Sequence, residues 1–401
     1  MEIEEAISSI RKAAVPVRER IVVTLSSAYG YVLAEDVMAE SSVPSFPRSA
    51  MDGYAVLAAD IAAASGTAPV RLKVIGEILA GDATDPVYAP GTAVRIMTGG
   101  RIPEGYDAVV RQEDTDYGEE EVEIRTSLPS GRNCCPVGEE IRAGQKVLSS
   151  GERIGRIQAG LLAALGIAEV PVKRKPRIAV ISTGSELAEP GTPLKTGQIY
   201  NSIRFILDAA IRQAGLEVCF SCTCPDEAEA IRNAIRQAAE TADAILTTGG
   251  VSVGKKDLLP KVLEDLSAKR LFTRVNIQPG TPTIGSVLDG KVILSLSGNP
   301  YAAMANFDLY FWPLIAELTG CGAYLPGEAE AVFADEYEKE NRMRRLLRAR
   351  EEGGFVTLPA KEHMSSVFGN AADCNCYIDL PAGSRISRGD RVKIRRMRQD
   401  S

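Results

Sequence analysis

The glycine-rich segment TTGGVSVGKKD at residues 247–257 carries the strongest chemical signal in this chain. It follows a short apolar run at 244–246 and precedes a helix-like stretch at 258–266. A glycine turn between a strand and a helix exposes backbone N–H groups that favour binding of an anion such as phosphate. Asp257, at the end of the loop, could hold a metal ion against that phosphate. The alternative is an ordinary tight turn with a solvated Asp257.

Three further loops follow predicted strands. The segment at 182–186 ends in Glu186, Asp226 follows the strand at 216–222, and the segment Ser297-Gly298-Asn299-Pro300 follows the strand at 291–296. Ligands of an open parallel sheet bind at the carboxyl ends of its strands, so these loops are expected to meet at one rim.

Glu186, Asp226 and Asp257 are the acidic residues of that predicted rim. Several carboxylates beside helix N-termini suit Mg²⁺ and a phosphorylated substrate. Structural alternatives remain open for two of them. Asp226 with Glu229 forms the pattern of a helix capping box, and Glu186 could be a plain surface acid.

A second cluster lies earlier in the chain. Residues 46–55 bring Arg48, Ser49 and Asp52 together beside a glycine, and residues 96–100 form another glycine turn that contains Thr98. An Asp-Gly turn is most often only a turn, so the residue pattern alone does not place this cluster in a functional site.

The elements that must position these residues change in type along the chain. Residues 2–13 predict an amphipathic helix, 40–172 predict a β-rich region with strands at 70–78, 93–97, 108–112 and 122–124, and 152–166 predict a helix. Between 176 and 320, strands at 177–182, 216–222, 244–248 and 291–296 alternate with helices. One helix is capped by Asn201 and runs to about Gln213, and one covers 226–239. A third is capped by Asn299 and has Pro300 in its first turn. From about 323 the signals return to β, with strands at 343–350, 355–358, 376–380 and 391–394.

These patterns predict an α/β plus β chain with a doubly wound, mostly parallel α/β domain, a β-barrel-like insertion and a small C-terminal β domain. The expected domains are a discontinuous N-terminal domain at 1–44 and 140–172, a β-rich insertion at 45–139, the α/β domain at 173–322 and a C-terminal β-barrel at 323–401.

Composition limits the choice of partners. The chain has 401 residues, 45% of them hydrophobic, and a net charge of −7 with no long basic run, which argues against nucleic acid. No signal peptide and no membrane-spanning apolar stretch are recognised, so a cytoplasmic protein is expected.

The eight cysteines include one CxxC pattern, Cys219 to Cys222, inside a strand predicted to be buried. We therefore favour small apolar packing residues over a zinc or Fe–S site. The single histidine, His363, argues against Ser–His–Asp or Cys–His catalysis.

The chain resembles the MoeA family, the molybdopterin molybdenumtransferases, which are related to the E domain of gephyrin. The matching segments run in the family's order along nearly the whole chain: SAMDGYAV at 49–56, GEILAGDA at 76–83, AVRIMTGGRIPEGYDAVVRQED at 93–114, ISTGSEL at 181–187, GQIYNSI at 197–203, TTGGVSVGKKD at 247–257, SGNPYAA at 297–303 and GDRVKI at 389–394.

The resemblance implies an elongated homodimer of four domains, one of them folded like the molybdopterin adenylyltransferase. Such proteins take adenylylated molybdopterin and molybdate, or tungstate in some relatives. With Mg²⁺ they release AMP and insert the metal into the dithiolene. Their site lies in a cleft between the α/β domain of one subunit and the SAMDGYA-bearing region of the other. The adenylyltransferase and molybdoenzyme chaperones are further partners to expect.

The resemblance also implies residue roles. Matching catalytic positions are Asp52, Thr98, Glu186, Asp226 and Asp257, of which Asp226, Asp257 and Glu186 would hold the metal. Matching cofactor-binding positions are Gly249, Gly250, Val251, Ser252, Gly254, Arg274, Ser297, Gly298, Asn299 and Pro300.

Three departures from the family pattern leave the activity open. The family commonly shows KPGKP where this chain has QPGTP at 278–282, so Gln278 and Thr281 stand in place of two lysines. Each charge-assisted contact to a phosphate contributes roughly 1.5–3 kcal/mol. The stretch at 361–367 also lacks the usual glutamine and glycine, and Ser297 replaces a frequent proline. Lys255, Lys256 and Arg274 could compensate in part.

Three hypotheses follow from the sequence. The first is a metal-inserting transferase for molybdate or tungstate. The second is a non-catalytic molybdopterin-binding or scaffolding paralogue, favoured by QPGTP. The third is an adenylyltransferase, which the SAMDGYA region argues against.

Overall fold

A computed structural model describes residues 1–84, 86–251, 258–337, 339–359 and 367–398. Among the predicted site residues, Ser252, Gly254 and Asp257 lie outside these ranges, as do Lys255, Lys256 and His363.

The described residues form six α-helices and several short 3-10 segments. The helices are α1 (Ile3–Ala13), α2 (Arg156–Ala164), α3 (Ser202–Gln213), α4 (Ala228–Thr241), α5 (Leu259–Asp265) and α6 (Pro300–Thr319). The 3-10 segments are Leu25–Ser27, Ala58–Ile61, Gln112–Asp114, Gly322–Tyr324 and Gly369–Asp373.

The strands fall into three groups along the chain. The first is β1 (Arg20–Thr24), β2 (Val32–Leu33), β3 (Val37–Met38), β4 (Arg48–Ser49), β5 (Gly53–Val56), β6 (Val70–Ile78), β7 (Thr92–Ile96), β8 (Ala108–Arg111), β9 (Glu121–Ile124), β10 (Cys134–Cys135), β11 (Lys146–Leu148) and β12 (Glu169–Lys173). The second is β13 (Arg177–Thr183), β14 (Leu187–Ala188), β15 (Ile199–Tyr200), β16 (Glu217–Cys224), β17 (Ala244–Thr248), β18 (Lys269–Arg274), β19 (Ile277–Gln278), β20 (Pro282–Leu288) and β21 (Lys291–Leu296). The third is β22 (Glu328–Phe333), β23 (Arg344–Glu352), β24 (Phe355–Thr357), β25 (Cys376–Leu380) and β26 (Arg391–Arg396).

The chain separates into two compact units. One consists of Met1–Glu35, Gly151–Gly155 and Glu169–Ser401, and the other of Asp36–Ser150 and Arg156–Ala168. The chain therefore leaves and re-enters the first unit. The finer division into four domains at the boundaries given above stays a prediction.

A six-stranded sheet forms the centre of the first unit. Its order is β16-β13-β17-β21-β20-β18, with β16, β13, β17 and β21 parallel. Strand β20 is antiparallel to β21, and β18 is antiparallel to β20, so β18 again points with the parallel strands. The predicted mostly parallel sheet is confirmed, while β18 and β20 were missed by the sequence analysis.

Both faces of this sheet are covered, which is why its central strands are apolar at nearly every position. In β13, Ile178 and Val180 pack with α1, α3 and α6 on one face, while Ala179 and Ile181 pack with α4 and α5 on the other. Helices on both faces are the arrangement predicted for a doubly wound domain.

The second unit contains the β-rich insertion. Strands β8-β5-β7-β6-β9 form a mixed five-stranded sheet in which only β6 and β7 are parallel. Its core is built from alternate residues of these strands, such as Tyr54, Val56, Val110 and Val122. The predicted β-rich insertion is thereby confirmed. Strands β6 to β9 match the expected ones within one residue, whereas the interior strand β5 was not predicted.

The C-terminal strands close into a five-stranded barrel. Pairing runs β22–β24–β23–β25–β26 and returns to β22, and β19 adds to the barrel at β23. The predicted small C-terminal β domain is confirmed, although β22 was missed. In the part of the chain that the structure describes, we find no helix with the length and apolarity needed to cross a membrane.

A buried polar contact joins the barrel to α6. Tyr377 of β25 donates a hydrogen bond to Asp308 Oδ2 at 2.7 Å, and Trp312 Nε1 donates to Asp308 Oδ1 at 3.1 Å. The residue as a whole is half-buried, whereas its carboxylate oxygens are enclosed by these two side chains. Burial raises the pKa of Asp308 to about 6, against 3.8 for an ordinary aspartate, although the two hydrogen bonds oppose this shift.

We expect Asp308→Asn to change the pH dependence of stability. Because the folded state binds the Asp308 proton more tightly than the unfolded state, the wild-type protein loses stability as the pH rises through the window between these two pKa values. The loss is on the order of 2 kcal/mol and is complete above that window. The thermal midpoint of the variant, relative to wild type, should therefore rise between pH 4.5 and 7.5. A difference that stays constant over this range would contradict the assignment.

Candidate functional site

The sheet contains a switch point at β13. The chain passes from β13 through α3 to β16 on one side, and then through α4 to β17 on the other side of β13. Because α3 follows β13 on one face and α5 follows β17 on the other, the loops after these two strands diverge and leave a crevice at the carboxyl edge.

A cavity of about 340 Å³ lies in this crevice. It receives residues from the ends of all four parallel strands. Its lining residues are Thr183, Glu186, Leu187, Ile199, Tyr200, Asn201, Ser202, Ile203, Asp226, Thr248, Gly249, Gly250, Val251, Pro282, Ser297, Gly298 and Pro300.

The glycine loop after β17 is shaped by a close approach to β13. Gly249 has φ +90°, and a Cβ atom there would lie 2.3 Å from the carbonyl oxygen of Thr183. Only glycine satisfies both the left-handed backbone and this contact. The loop after β21 also packs against Gly249, since a Cβ on Gly298 would lie 3.5 Å from Gly249 Cα.

The backbone N–H groups of these loops are not all available to an anion. Gly249 donates to the carbonyl of Leu296 at 3.2 Å, and Asn299 donates to Ser297 Oγ at 3.2 Å. Among the described residues, the N–H groups of Gly250 and Gly298 have no acceptor, and both residues line the cavity. Of the described amides in the two predicted anion-binding loops, those of Gly250 and Gly298 are therefore the candidates for binding an anion.

Asn299 and Pro300 have the structural roles that the sequence predicts. Asn299 Oδ1 accepts the N–H of Ala302 at 3.2 Å and caps α6, and Pro300 occupies its first turn. Pro300 also lines the cavity, whereas Asn299 is not among the lining residues.

The two described carboxylates of the predicted rim, Glu186 and Asp226, both line the cavity. Their loops are tied together, because Gly184 N–H donates to the carbonyl of Cys224 at 3.1 Å and Asp226 N–H donates to Ser185 Oγ at 3.3 Å. The predicted third carboxylate, Asp257, lies outside the described residues.

The capping-box alternative for Asp226 is wrong. Helix α4 begins at Ala228 with Glu227 as its N-cap, and no side chain caps it. Asp226 instead stands at the apex of a tight turn closed by Glu227 N–H on the carbonyl of Pro225 at 2.8 Å. Glu229, the supposed capping partner, pairs with Arg232. The Asp226 carboxylate is thus not used by the helix.

No lysine or arginine is among the described lining residues. Arg274 is exposed at the end of β18 and pairs through its backbone with Pro282, which does line the cavity. Gln278 is exposed, and Thr281 donates its hydroxyl to the carbonyl of Ile277 at 2.6 Å. The cavity is therefore acidic in its described part.

Asp52 and Thr98 lie together in the other unit. Asp52 Oδ1 accepts the backbone N–H and the hydroxyl of Thr98, each at 2.7 Å. These two donors lower the pKa of Asp52, the backbone N–H first. Both residues are exposed. The residue after Asp52 must be a glycine, because a Cβ atom at Gly53 would lie 1.9 Å from the carbonyl oxygen of Val110.

The cysteines form no metal centre in the described part of the chain, where no group of three or more His, Cys, Asp or Glu side chains converges. Cys219 and Cys222 lie on β16, and both pack against the apolar cluster beneath α4 and α5. Both are half-buried rather than fully buried as the sequence analysis expected. Burial raises the pKa of both thiols.

A larger concavity of about 1070 Å³ lies beside the C-terminal barrel, away from the carboxyl edge of the sheet. Several of its charged side chains are already paired, such as Arg344 with Asp379 at 2.7 Å and Lys393 with Glu328 at 2.8 Å. We therefore take the smaller crevice at the switch point as the candidate site.

Sequence reasoning missed several lining residues. Tyr200, Asn201 and Ser202 line the cavity and belong to the GQIYNSI segment, but none was proposed as a site residue. The signal was present in this polar segment directly before a predicted helix, yet a cap and a turn explain it equally well.

Three family descriptions match this chain in order. They are "MoeA N-terminal region (domain I and II)" at residues 1–166, "Probable molybdopterin binding domain" at 179–317 and "MoeA C-terminal region (domain IV)" at 330–395. The cavity at the switch point lies largely in the second of these regions.

Similar proteins carry the same description over most of their length. A molybdopterin molybdenumtransferase of Staphylococcus epidermidis is 37% identical over 388 residues, which cover 96% of this chain and 92% of the relative. One of Staphylococcus aureus is 36% identical and covers 91% and 88%. The crystal structure of a molybdopterin biosynthesis MoeA protein from Pyrococcus horikoshii has a TM-score of 0.84 at 31% identity, covering 99% of this chain and 98% of that one.

The fold and the matches define a multidomain transferase of molybdenum cofactor biosynthesis. The chain belongs to the MoeA family, the molybdopterin molybdenumtransferases.

We expect Gly249→Ala to destabilise the protein more than Gly191→Ala. Both glycines have a left-handed backbone, at φ +90° and +91°, and a side chain in this region costs roughly 1–2 kcal/mol. Only the Gly249 variant adds a clash with Thr183, since nothing lies within 4 Å of a Cβ at Gly191. Thermal unfolding of both variants measures the difference, and equal losses would contradict the close approach.

We expect Thr98→Val to raise the pKa of Asp52 toward its ordinary value, because one of two donors to the carboxylate is removed. The Thr98→Ser variant keeps the hydroxyl and should resemble wild type. Carboxyl ¹³C NMR of aspartate-labelled protein over an acidic titration measures the shift. An unchanged pKa in Thr98→Val would show that the hydroxyl contact is not formed in solution.

Proposed function

We propose that this protein inserts molybdate into adenylylated molybdopterin, with Mg²⁺ as cofactor and with release of AMP. The observation that carries the proposal is the crevice at the switch point, which combines Glu186, Asp226 and the two glycine loops in a chain of this family. The family supplies the reaction class, and the crevice supplies a site with matching chemistry.

The charge of the crevice supports a divalent cation. Two carboxylates and no described basic side chain line it, so an anionic substrate alone would be repelled. Mg²⁺ is commonly held by one or two carboxylates together with substrate phosphates. We propose Glu186 and Asp226 as its ligands here, with Asp257 as the third. When bound, the cation neutralises charge that develops on the phosphoanhydride as it is cleaved.

The glycine loops would hold the phosphate end of the substrate. The N–H groups of Gly250 and Gly298 point to no acceptor among the described residues. The N-terminus of the 20-residue helix α6 lies beside them and favours negative charge. Oriented backbone donors of this kind bind phosphate without basic side chains. The roles of Val251, Ser252, Gly254, Ser297 and Arg274 remain predictions.

We propose that the site is completed in a homodimer, with Asp52 and Thr98 of a second copy acting near the dithiolene or the molybdate. The paired contacts of Thr98 keep the Asp52 carboxylate ionised and oriented. An ionised carboxylate beside an oxyanion needs a proton or metal between them, so Asp52 would act through one of these. Cytoplasmic action beside the molybdopterin adenylyltransferase and molybdoenzyme chaperones belongs to the same proposal.

A binding or scaffolding role is the second candidate. It is favoured by the QPGTP segment, since Gln278 is neutral and the Thr281 hydroxyl donates a hydrogen bond to the carbonyl of Ile277 in the same loop. Such a protein would bind molybdopterin without cleaving the adenylate.

The decisive assay measures AMP release from adenylylated molybdopterin with Mg²⁺, with molybdate, tungstate or neither. Release that depends on molybdate is expected, and dependence on tungstate alone would make the protein a tungstate-specific transferase. Tight pterin binding without release would establish the binding role. Consumption of ATP with molybdopterin would instead identify an adenylyltransferase.

Asp226→Asn and Glu186→Gln should each lower the rate of AMP release by about 100-fold or more, because each removes a charge that the transition state requires. Glu240→Gln, an exposed acid at the far end of α4, is the matched control and should retain the wild-type rate. Wild-type rates in both site variants, with the fold intact, would refute the metal assignment.

A further inference from the structure

A chain of hydrogen bonds lies behind the two acidic loops of the crevice. Asn201 Nδ2 donates to Thr223 Oγ1 at 2.9 Å, and Thr223 Oγ1 donates to Glu189 Oε1 at 2.8 Å. Glu189 is also paired with the guanidinium of Arg204. Three separate segments of the chain are thereby connected through side chains.

Each member lies close in sequence to a loop that carries a cavity acid. Glu189 follows Glu186 by three residues, across the short strand β14. Thr223 lies near the end of β16 and precedes Asp226 by three residues. The contact between Glu189 and Thr223 therefore joins the segment of one acid to the segment of the other.

Asn201, in the third segment, holds the Thr223 hydroxyl in place for its contact with Glu189. It is 2% exposed, its Oδ1 accepts the N–H of Arg204 at 3.2 Å, and its own N–H donates to the carbonyl of Ala188 at 3.0 Å. With its Oδ1 held by the start of α3, its Nδ2 is left to donate to Thr223. The Thr223 hydroxyl must then give its proton to Glu189, so the whole chain has one direction.

The hydrogen-bond chain opposes the repulsion between the two carboxylates of the crevice. Glu186 and Asp226 carry like charges on exposed loops, and they repel each other when no cation lies between them. A divalent cation is bound well only when its ligands are held ready by the groups behind them. The Asn201–Thr223–Glu189 chain connects the two loops through side chains on the α3 side, in addition to the contact of Arg204 with both Glu189 and Ser221.

We propose that Thr223, with Asn201 and Glu189, positions Glu186 and Asp226 for a divalent cation, so that cation affinity depends on a hydroxyl that does not touch the cation. The inference rests on the proposed function, because it assigns these residues to the metal site of that reaction. It names positioning residues and not catalytic ones.

Thr223→Val tests the proposal, because it removes the hydroxyl at nearly constant volume. Calorimetric titration of Mg²⁺ into protein saturated with AMP should show an affinity about 10-fold weaker than wild type. This is the lower end of the effect of losing a group hydrogen-bonded to a metal ligand, because Thr223 acts on the two acids through the segments that carry them. Thr223→Ser keeps the hydroxyl and should restore the affinity. Thr241→Val, the same substitution at the end of α4, should leave it unchanged.

The fold is checked by thermal unfolding, and kinetics provide a second readout. In AMP release, Thr223→Val should raise the Mg²⁺ concentration needed for half the maximal rate, while the KM for the pterin substrate at saturating Mg²⁺ stays near wild type. Wild-type Mg²⁺ affinity in Thr223→Val, or failure of Thr223→Ser to restore it, would overturn this inference alone. No Mg²⁺ binding by the wild-type protein with AMP would instead overturn the metal site of the proposed function.

Discussion

The parallel pairing of β13 with both β16 and β17 is the constraint on which the candidate site depends. It forces the chain to cross from one face of the sheet to the other, since α3 packs on one side and α4 on the other. The loops at the carboxyl edge must separate where the crossover occurs, and the crevice forms there. The contact of Gly249 with the Thr183 carbonyl then sets how closely the β17 loop returns to β13.

The sheet can take this role because it is fixed from both faces. Its central strands are apolar on both sides, and α6 is buried along most of its length between the sheet and the barrel. Loops that hold a ligand are displaced little when the elements beneath them are closely packed. The acidic loops have fewer such contacts, because Glu186 and Asp226 are exposed, and their positions depend on hydrogen bonds between loops.

The sequence was most informative where packing is two-sided and least informative at edges. Strands β13, β17 and β21 were predicted within one residue, because a strand buried on both faces is a continuous apolar run. The edge strand β18 was missed, since four of its six residues are exposed and three are basic. Strand β22 was missed for a different reason, because its alternating sequence is built largely from Glu and Ala, which have low strand propensity.

The site shows the same division between local and tertiary causes. Asn299 was predicted as a cap because its oxygen contacts an amide three residues away, which is a local interaction. The location of Glu186 and Asp226 in one crevice followed from the general rule for parallel sheets. The contribution of Tyr200 and Asn201 was missed, because contacts with other segments place them at the crevice, namely the pairing of β15 with β14 and the hydrogen bond from Asn201 to Thr223.

Asp226 shows how a site residue can depart from its local pattern. An aspartate at the start of a helix ordinarily caps it, and loss of such a cap costs about 1 kcal/mol. Here the helix starts two residues later without a side-chain cap, and Ser185 accepts the Asp226 N–H instead. The carboxylate is thereby left without a structural partner in its own helix and borders the crevice beside Glu186. Conflicts between local stability and function are concentrated at functional sites, so the absence of this cap supports the proposal that Asp226 is a metal ligand.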